Sequence, residues 1–195
     1  YAMPLSHDVL FVEETVLATR KKISYEWLKG RLQERIRHEG FQVEKVLEEE
    51  FCNIPMGLSL PSETQKVIPF GAAAGMVHPA TGYMLSRVVE VAPGLAAHIK
   101  GHLGHIPKDQ LLQEALRLLW PQDRRRCREL YMVGLEMLTR ISPETTWQFF
   151  EAFFSLPEPM WRGFLGARLT PSEVALTMSK MFAISGSGLR FSLLR

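Results

Sequence analysis

The stretch PFGAAAGMVHPATGYMLSR, Pro69 to Arg87, sets Gly71, Gly75 and Gly82 with Pro69 and Pro79 around a single histidine, His78, without an acid and without lysine or arginine before Arg87. It follows KVIPF and runs on into SRVVEVA, an order that reads as strand, glycine loop and helix start. Backbone N–H groups at such a helix start favour anions, and absent side chains let a flat or phosphorylated ligand approach the main chain. The competing reading is a tightly packed turn whose glycines serve only the backbone. The GxGxxG spacing of a dinucleotide-binding turn is missing here and elsewhere in the chain. The uncharged run from Val67 to Ser86 meets the roughly 20 residues of a membrane span, but its prolines and glycines argue against a continuous helix.

Toward the N-terminus the chain alternates with period two. VLFVEETV places Val9, Phe11, Glu13 and Thr15 on one face and Leu10, Val12, Glu14 and Val16 on the other. YAMPL, with SHD between, reads as its hairpin partner. ISYEWLKGRLQERIRHEG predicts a helix with Ser24 as N-cap, Leu28, Leu32 and Ile36 at i,i+4 spacing and Gly40 as terminator. KVLEEEFCNIPM and KVIPF read as further strands.

The composition shifts at Ala92–Pro93. Beyond it KDQLLQEALRLLW, DRRRCRELYMVGLEMLTRI, PETTWQFFEAFFSL, MWRGFLGARL and TPSEVALTMSKMFAI read as helices, with breaks marked by Pro121, Pro143 and Pro157. The fold expected is α+β, with a sheet-and-loop portion over residues 1–92 and a helical portion over residues 93–195.

Charge and cysteines narrow the function. The 23 lysines and arginines against 21 acids leave a net charge of +2, which gives no reason to expect nucleic acid as a partner. Cys52 and Cys127 stand far apart with no CxxC pair, so neither a disulfide framework nor a zinc site is expected. The acidic run Glu48 to Glu50 lacks a histidine or spaced acid to complete a metal site, so no metal is assigned. The opening YAMPLSHD has no signal-peptide pattern.

FVEET, EEEFCNIPMGLSLP, VIPFGAAAGMVHPATGYMLSRVVEVAP and FFEAFFSLPEPMWRGFLGARL, in that order, closely resemble the plant and cyanobacterial type of lycopene cyclase, most nearly the lycopene β-cyclases. The resemblance implies a flavoprotein distantly similar to the flavin hydroxylases, of which this chain looks like the C-terminal part, the N-terminal FAD-binding half with its Rossmann motif being absent. It implies reduced FAD as cofactor, with NAD(P)H as reductant. Carried over by position, Gly71, Gly75, Pro79 and Gly82 match the family's second flavin-contacting loop, with Ala80 and Tyr83 nearest the ring. Ala72 stands where the hydroxylases often carry an acid, and Leu58 stands where the family's IPMGGxLP has a glycine. If that position needs a positive φ, Leu58 strains the turn.

The implied reaction closes β-ionone rings on linear lycopene without net oxidation. It needs a proton delivered to a terminal double bond, a stabilised carbocation and removal of a different proton. FVEET corresponds to the family's FLEET, whose first glutamate has the acid–base role; here that is Glu13, with Glu14 on the opposite strand face. His78 is a second candidate base, against a structural role within the loop. Lycopene is lipid-soluble, which implies a peripheral association with a membrane surface, on a cytoplasmic face or at the thylakoid or plastid membrane. Phe149, Phe150, Phe153, Phe154 and Trp161 are candidate substrate or interfacial residues, against a plain core stripe. Arg124 to Arg126 are candidates for lipid phosphates. An ε-cyclase or other carotenoid cyclase, and a non-catalytic carotenoid- or lipid-binding remnant, are the alternatives.

Overall fold

The computed structural model describes residues 1–186 and Arg190. The chain divides into two compact units, Tyr1–Asn53 and Ile54–Arg195.

In the first unit, β1 (Ala2–Pro4) and β2 (Leu10–Val12) pair antiparallel with Met3 opposite Phe11, as the alternation predicts. Helix α1 (Tyr25–His38) starts where Ser24 Oγ accepts the Trp27 N–H at 3.2 Å. It ends in a Schellman turn. Gly40 takes φ +79°, the Phe41 N–H reaches the Ile36 carbonyl and the Gly40 N–H reaches that of Arg37. No residue of α1 is buried.

The expected strands at 45–56 and 66–70 do not form: both segments are without strand structure. A strand needs a partner for its N–H and C=O groups, and none of the described residues supplies one. Val46 and Leu47, on the first of these segments, stay exposed.

The second unit is helical. A short 3₁₀ turn, Gly71–Ala74, precedes α2 (Leu85–His102), α3 (Lys108–Leu119), α4 (Gln122–Leu138), α5 (Pro143–Phe154), α6 (Glu158–Leu165) and α7 (Pro171–Ile184). Proline opens helices as expected: Pro121 and Pro157 are N-caps and Pro143 is the first residue of α5. Pro93, where the composition shifts, lies inside α2, and the division between the two compact units falls in sequence between Asn53 and Ile54. Proline within the helix removes the N–H that would bond the Val89 carbonyl, and Val89 is 64% exposed.

Two apolar clusters hold this unit. One gathers Ala74, Met76, Leu95, Leu116, Leu119 and Trp120 from the glycine loop, α2 and α3. The other gathers Cys127, Tyr131, Phe153, Phe164, Val174 and Met181 from α4 to α7. The glycine loop is fastened to both. Trp120 Nε1 donates to the Ala74 carbonyl at 2.7 Å, and the His78 ring donates to the Phe164 carbonyl at 3.0 Å. The architecture is therefore mostly helical with one small hairpin, consistent with an α+β portion.

Candidate functional site

The paired glutamates after β2 take different roles. Glu14 is drawn against α1, where Arg35 Nε lies 2.7 Å from one carboxylate oxygen and Arg31 Nε 3.5 Å from the other. The hydrogen bonds and charge of Arg35, helped by Arg31, hold the Glu14 carboxyl below the usual carboxylate range. Glu13 is exposed, its backbone N–H fixed to the Tyr1 carbonyl at 2.8 Å. Among the described residues the Glu13 side chain has no hydrogen-bond or ion-pair partner. Both residues follow the end of β2 at Val12, and one carboxylate is held in an ion pair while the other is exposed.

The glycine loop is built in the second unit. Gly75 is buried at φ +69°, and a Cβ there would sit 3.4 Å from Leu60 Cδ2, so the turn needs glycine for its backbone. The N–H of Gly75 bonds Ala72, that of Met76 bonds Gly71, that of His78 bonds Tyr83 and that of Gly82 bonds His78. Much of the loop's main chain is therefore satisfied within the loop. Pro79 is buried as well, whereas Gly71, Ala80 and Gly82 are half-buried and Tyr83 is 66% exposed. Helix α2 begins at Met84 without a side-chain cap. Its first-turn N–H groups and the exposed Tyr83 ring are chemistry suited to the edge of a flat anionic cofactor. Gly71, Ala80, Gly82 and Tyr83 line that outer surface, and Gly75 and Pro79 shape the turn beneath.

His78 is a structural clamp. Its Nδ1 accepts the Ala80 N–H at 3.1 Å, which places the proton on Nε2 for the bond to Phe164. Burial pushes its pKa down to about 4, so the ring is neutral near pH 7 with both nitrogens engaged.

Beneath the loop lies a cavity of about 30 Å³, lined by His78, Arg87, Trp120, Arg124, Arg128 and Tyr131 among others. A water needs roughly 10–15 Å³, so this is space for small groups and not for a ring system. The arginine run of α4 is split by helical spacing. Arg124 and Arg128 line the cavity with Tyr131 at i, i+4 and i+7, Arg125 donates to the Trp120 carbonyl at 2.9 Å, and the Arg126 side chain is 60% exposed. Of the three expected phosphate binders, Arg126 is the most exposed, paired with Asp123 at 3.6 Å. The same spacing in the sequence marks the Arg124, Arg128 and Tyr131 face, which a reading of the run as one charge block overlooks.

The aromatic segment also divides. Phe153 is buried in the second cluster, Phe149 and Trp161 pack against it, and Phe150 is half-buried. Phe154 is 51% exposed and stands edge-on to Trp161 at 5.5 Å. Trp147 is 77% exposed. No helix among the described residues is long and apolar enough to cross a membrane.

Leu58 is not at a positive φ; among the described non-glycine residues only Ala167 is. The strain expected at Leu58 is absent, and its carbonyl accepts from Arg128 Nη2. A histidine pair at i,i+4 in α2, His98 and His102, meets Glu114 of α3, with the three ligand-type atoms within 4.8 Å of one another. His98 Nε2 faces Glu114 Oε2 at 3.3 Å, an ion pair when the ring is protonated, and His102 Nδ1 bonds the His98 carbonyl at 2.8 Å.

Comparison with known proteins adds the family. Residues 1–191 match the family model described as lycopene cyclase protein. The chain is 41% identical over 196 residues to a capsanthin/capsorubin synthase of Citrus sinensis, covering 99% of this chain and 39% of that protein. It is 41% identical over 197 residues to a lycopene beta cyclase of Synechococcus elongatus, covering 100% of this chain and 48% of the relative. Against the neoxanthin synthase of Solanum lycopersicum the identity is 43% over 185 residues, 93% of this chain and 37% of the relative. The chain thus spans well under two thirds of the curated relatives it matches. No solved structure matches it.

Proposed function

Because the chain belongs to the lycopene cyclase family, we propose that it is the hairpin and helical part of a lycopene β-cyclase, which converts linear lycopene towards β-carotene with reduced FAD bound. The observation that carries this reading is the split glutamate pair. Glu14 is tied to Arg35 and Arg31 and resists protonation, while the Glu13 side chain has no partner among the described residues. In the cyclisation, Glu13 transfers a proton: as acid to the terminal double bond, or as base from the ring carbon after closure. Protonation creates the carbocation, the neighbouring double bond attacks it to close the six-membered ring, and proton loss restores neutrality with no net electron transfer. Reduced FAD, kept reduced by NAD(P)H, would supply negative charge beside that cation in a dry site, where such stabilisation is largest. Gly71, Ala80, Gly82, Tyr83 and the first turn of α2 would hold it, with Gly75 and Pro79 fixing the loop. The exposed Trp147 and Phe154, with Arg162 nearby, would rest at the surface of a plastid or thylakoid membrane from which lycopene enters. Phe149, Phe150, Phe153 and Trp161 would shape the apolar wall behind them.

The test is pigment chromatography from lycopene-accumulating bacteria expressing the complete protein that carries this chain. Glu13→Gln should lower ring formation by about 10²–10⁴-fold, the usual worth of a positioned acid or base, with flavin content unchanged. Glu14→Gln should retain most activity. A fully active Glu13→Gln protein would end the assignment. The relatives named capsanthin/capsorubin and neoxanthin synthase favour a second reading, a different end-group rearrangement in the same family. Products other than β-rings would select it.

A further inference from the structure

The cavity under the glycine loop has an unusual balance of charge. Arg87 enters it from the first turn of α2, and Arg124 and Arg128 enter from α4. No aspartate or glutamate lines it. Among the described residues none of these three arginines makes an ion pair. Their fixed contacts are to main-chain carbonyls. Arg87 Nη2 donates to Leu119 at 2.6 Å, Arg124 Nη1 to Ala167, and Arg128 Nη2 to Leu58. Arg87 also lies over the Trp120 ring, 4.5 Å from its centroid.

Each guanidinium carries five donors in a rigid fork, so anchoring one edge to a carbonyl leaves others aimed elsewhere. The remaining donors are conspicuous. Arg87 Nε, Arg128 Nε and Tyr131 Oη are buried without a hydrogen-bond partner, and Tyr131 as a whole is 3% exposed. Buried donors are seldom left unmet, and three around one cavity call for a shared acceptor. Arg87 and Arg124 also repel: burial first, and then the charge of Arg124, lower the proton affinity of Arg87, with Glu90 only partly offsetting them. One multivalent anion would satisfy the donors and remove the repulsion together.

We propose that Arg87, Arg124, Arg128 and Tyr131 form an oxyanion site for one phosphoryl group, either free phosphate or the phosphate of a lipid headgroup. Phosphoryl oxygens match the fork geometry of arginine, and they fit the scale of the space where a ring would not. The arginine anchoring provides the preorganisation: the forks are already oriented by Leu119, Ala167 and Leu58 before the anion arrives. The site joins the glycine loop, α4 and the turn after α6, so occupancy would also brace the loop. The donors that make it belong to this chain alone.

The experiment titrates inorganic phosphate into the complete protein by calorimetry, with ionic strength held constant by sodium chloride. Binding of one phosphate per chain is expected, accompanied by a rise in melting temperature. Tyr131→Phe removes only the unpartnered hydroxyl, so it should melt no lower than the parent in phosphate-free buffer while binding phosphate about tenfold more weakly. Arg128→Gln should weaken it at least as much. In a second arm, vesicles of phosphatidylcholine with and without phosphatidylglycerol are floated with the same proteins. Phosphatidylglycerol-dependent flotation reduced by both variants, with no binding of free phosphate, would assign the group to a lipid headgroup. Equal stabilisation by chloride alone, phosphate binding unaffected by both variants, or binding in neither arm would overturn the site.

Discussion

Between Tyr1 and Asn53 no residue is buried, and the side chains that meet across the fold do so as ion pairs and ring edges: Glu14 with Arg35, Lys29 with Glu49, Tyr25 with Phe51. From Ile54 onward two apolar clusters and a belt of arginine-to-carbonyl bonds take over. Solvent screens the first kind of contact and leaves the second nearly untouched. The difference separates a face that presents a carboxylate from a scaffold that presents a loop. The hairpin unit can tolerate many substitutions without collapse, whereas the helical unit concentrates its stability in a few side chains.

The largest consequence lies at Trp120. It closes the first cluster, donates to Ala74 and carries Arg87 on its face. Trp120→Ala should cost about 3–5 kcal/mol and loosen the glycine loop, measured by denaturant unfolding and by amide exchange at Met76 and Val77. A loss below about 1 kcal/mol, within the range of surface substitutions, would show that the two units are less unlike than their burial implies.

The next effect is a dependence on pH that the hairpin cannot share. His78 has a pKa of about 4 in the folded chain against 6.5 when exposed. Between those values the unfolded chain takes up a proton that the folded chain refuses, so stability falls as pH drops through that window. Full loss is about 3 kcal/mol. His78→Asn should be less stable at pH 7 but should flatten the curve between pH 6.5 and 4. An unchanged slope would transfer the acid sensitivity to another group.

Glu14→Gln probes the opposite kind of contact. Arg35 and Arg31 are about half exposed, so solvent screens the pair and its contribution is small, and smaller still in salt. Its contribution is present above the ordinary carboxylate range and lost as pH falls through the lowered pKa. Melting the variant and the parent at low and high salt measures it; a gap that persists in high salt would mean that Glu14 packs as well as pairs.

What was legible in the sequence follows from how local each signal is. Ser24, Gly40, Pro121, Pro143 and Pro157 act on neighbouring residues, and the helix ends fall where they indicate. The hairpin register follows from alternation across a short turn. The strands read at 45–56 and 66–70 fail because pairing is not a local property: β-like composition at Val46 or Ile68 cannot create the missing neighbour. Pro93 misleads for a related reason, since the packing of the whole of α2 carries the helix through a residue whose local preference is to end it. At the candidate site, FVEET and the glycine loop were readable as motifs, whereas the pairing of Glu14 with Arg35 and Arg31 depends on where α1 packs. The cavity was not readable, because Arg87 and Arg124 meet only through the packing of α2, α3 and α4 around Trp120.

The smallest effect compares one turn made twice. Helices α1 and α6 both end in a Schellman turn, with the Arg168 N–H bonding Gly163 and the Ala167 N–H bonding Phe164 in the second. The left-handed residue is Gly40 at φ +79° in the hairpin unit and Ala167 at φ +52° in the helical unit. A non-glycine residue there costs roughly 1–2 kcal/mol, offset by the greater backbone freedom that glycine loses on folding. Ala167→Gly should therefore stabilise by about 0.5–1 kcal/mol, and Gly40→Ala should destabilise by a similar amount. Ala167 differs in being held: Arg124 donates to its carbonyl and its side chain packs on the second cluster. If chemical denaturation finds Ala167→Gly neutral while Gly40→Ala loses stability, that packing compensates the strained alanine, and the helical unit fixes by tertiary contact what the hairpin unit leaves to glycine.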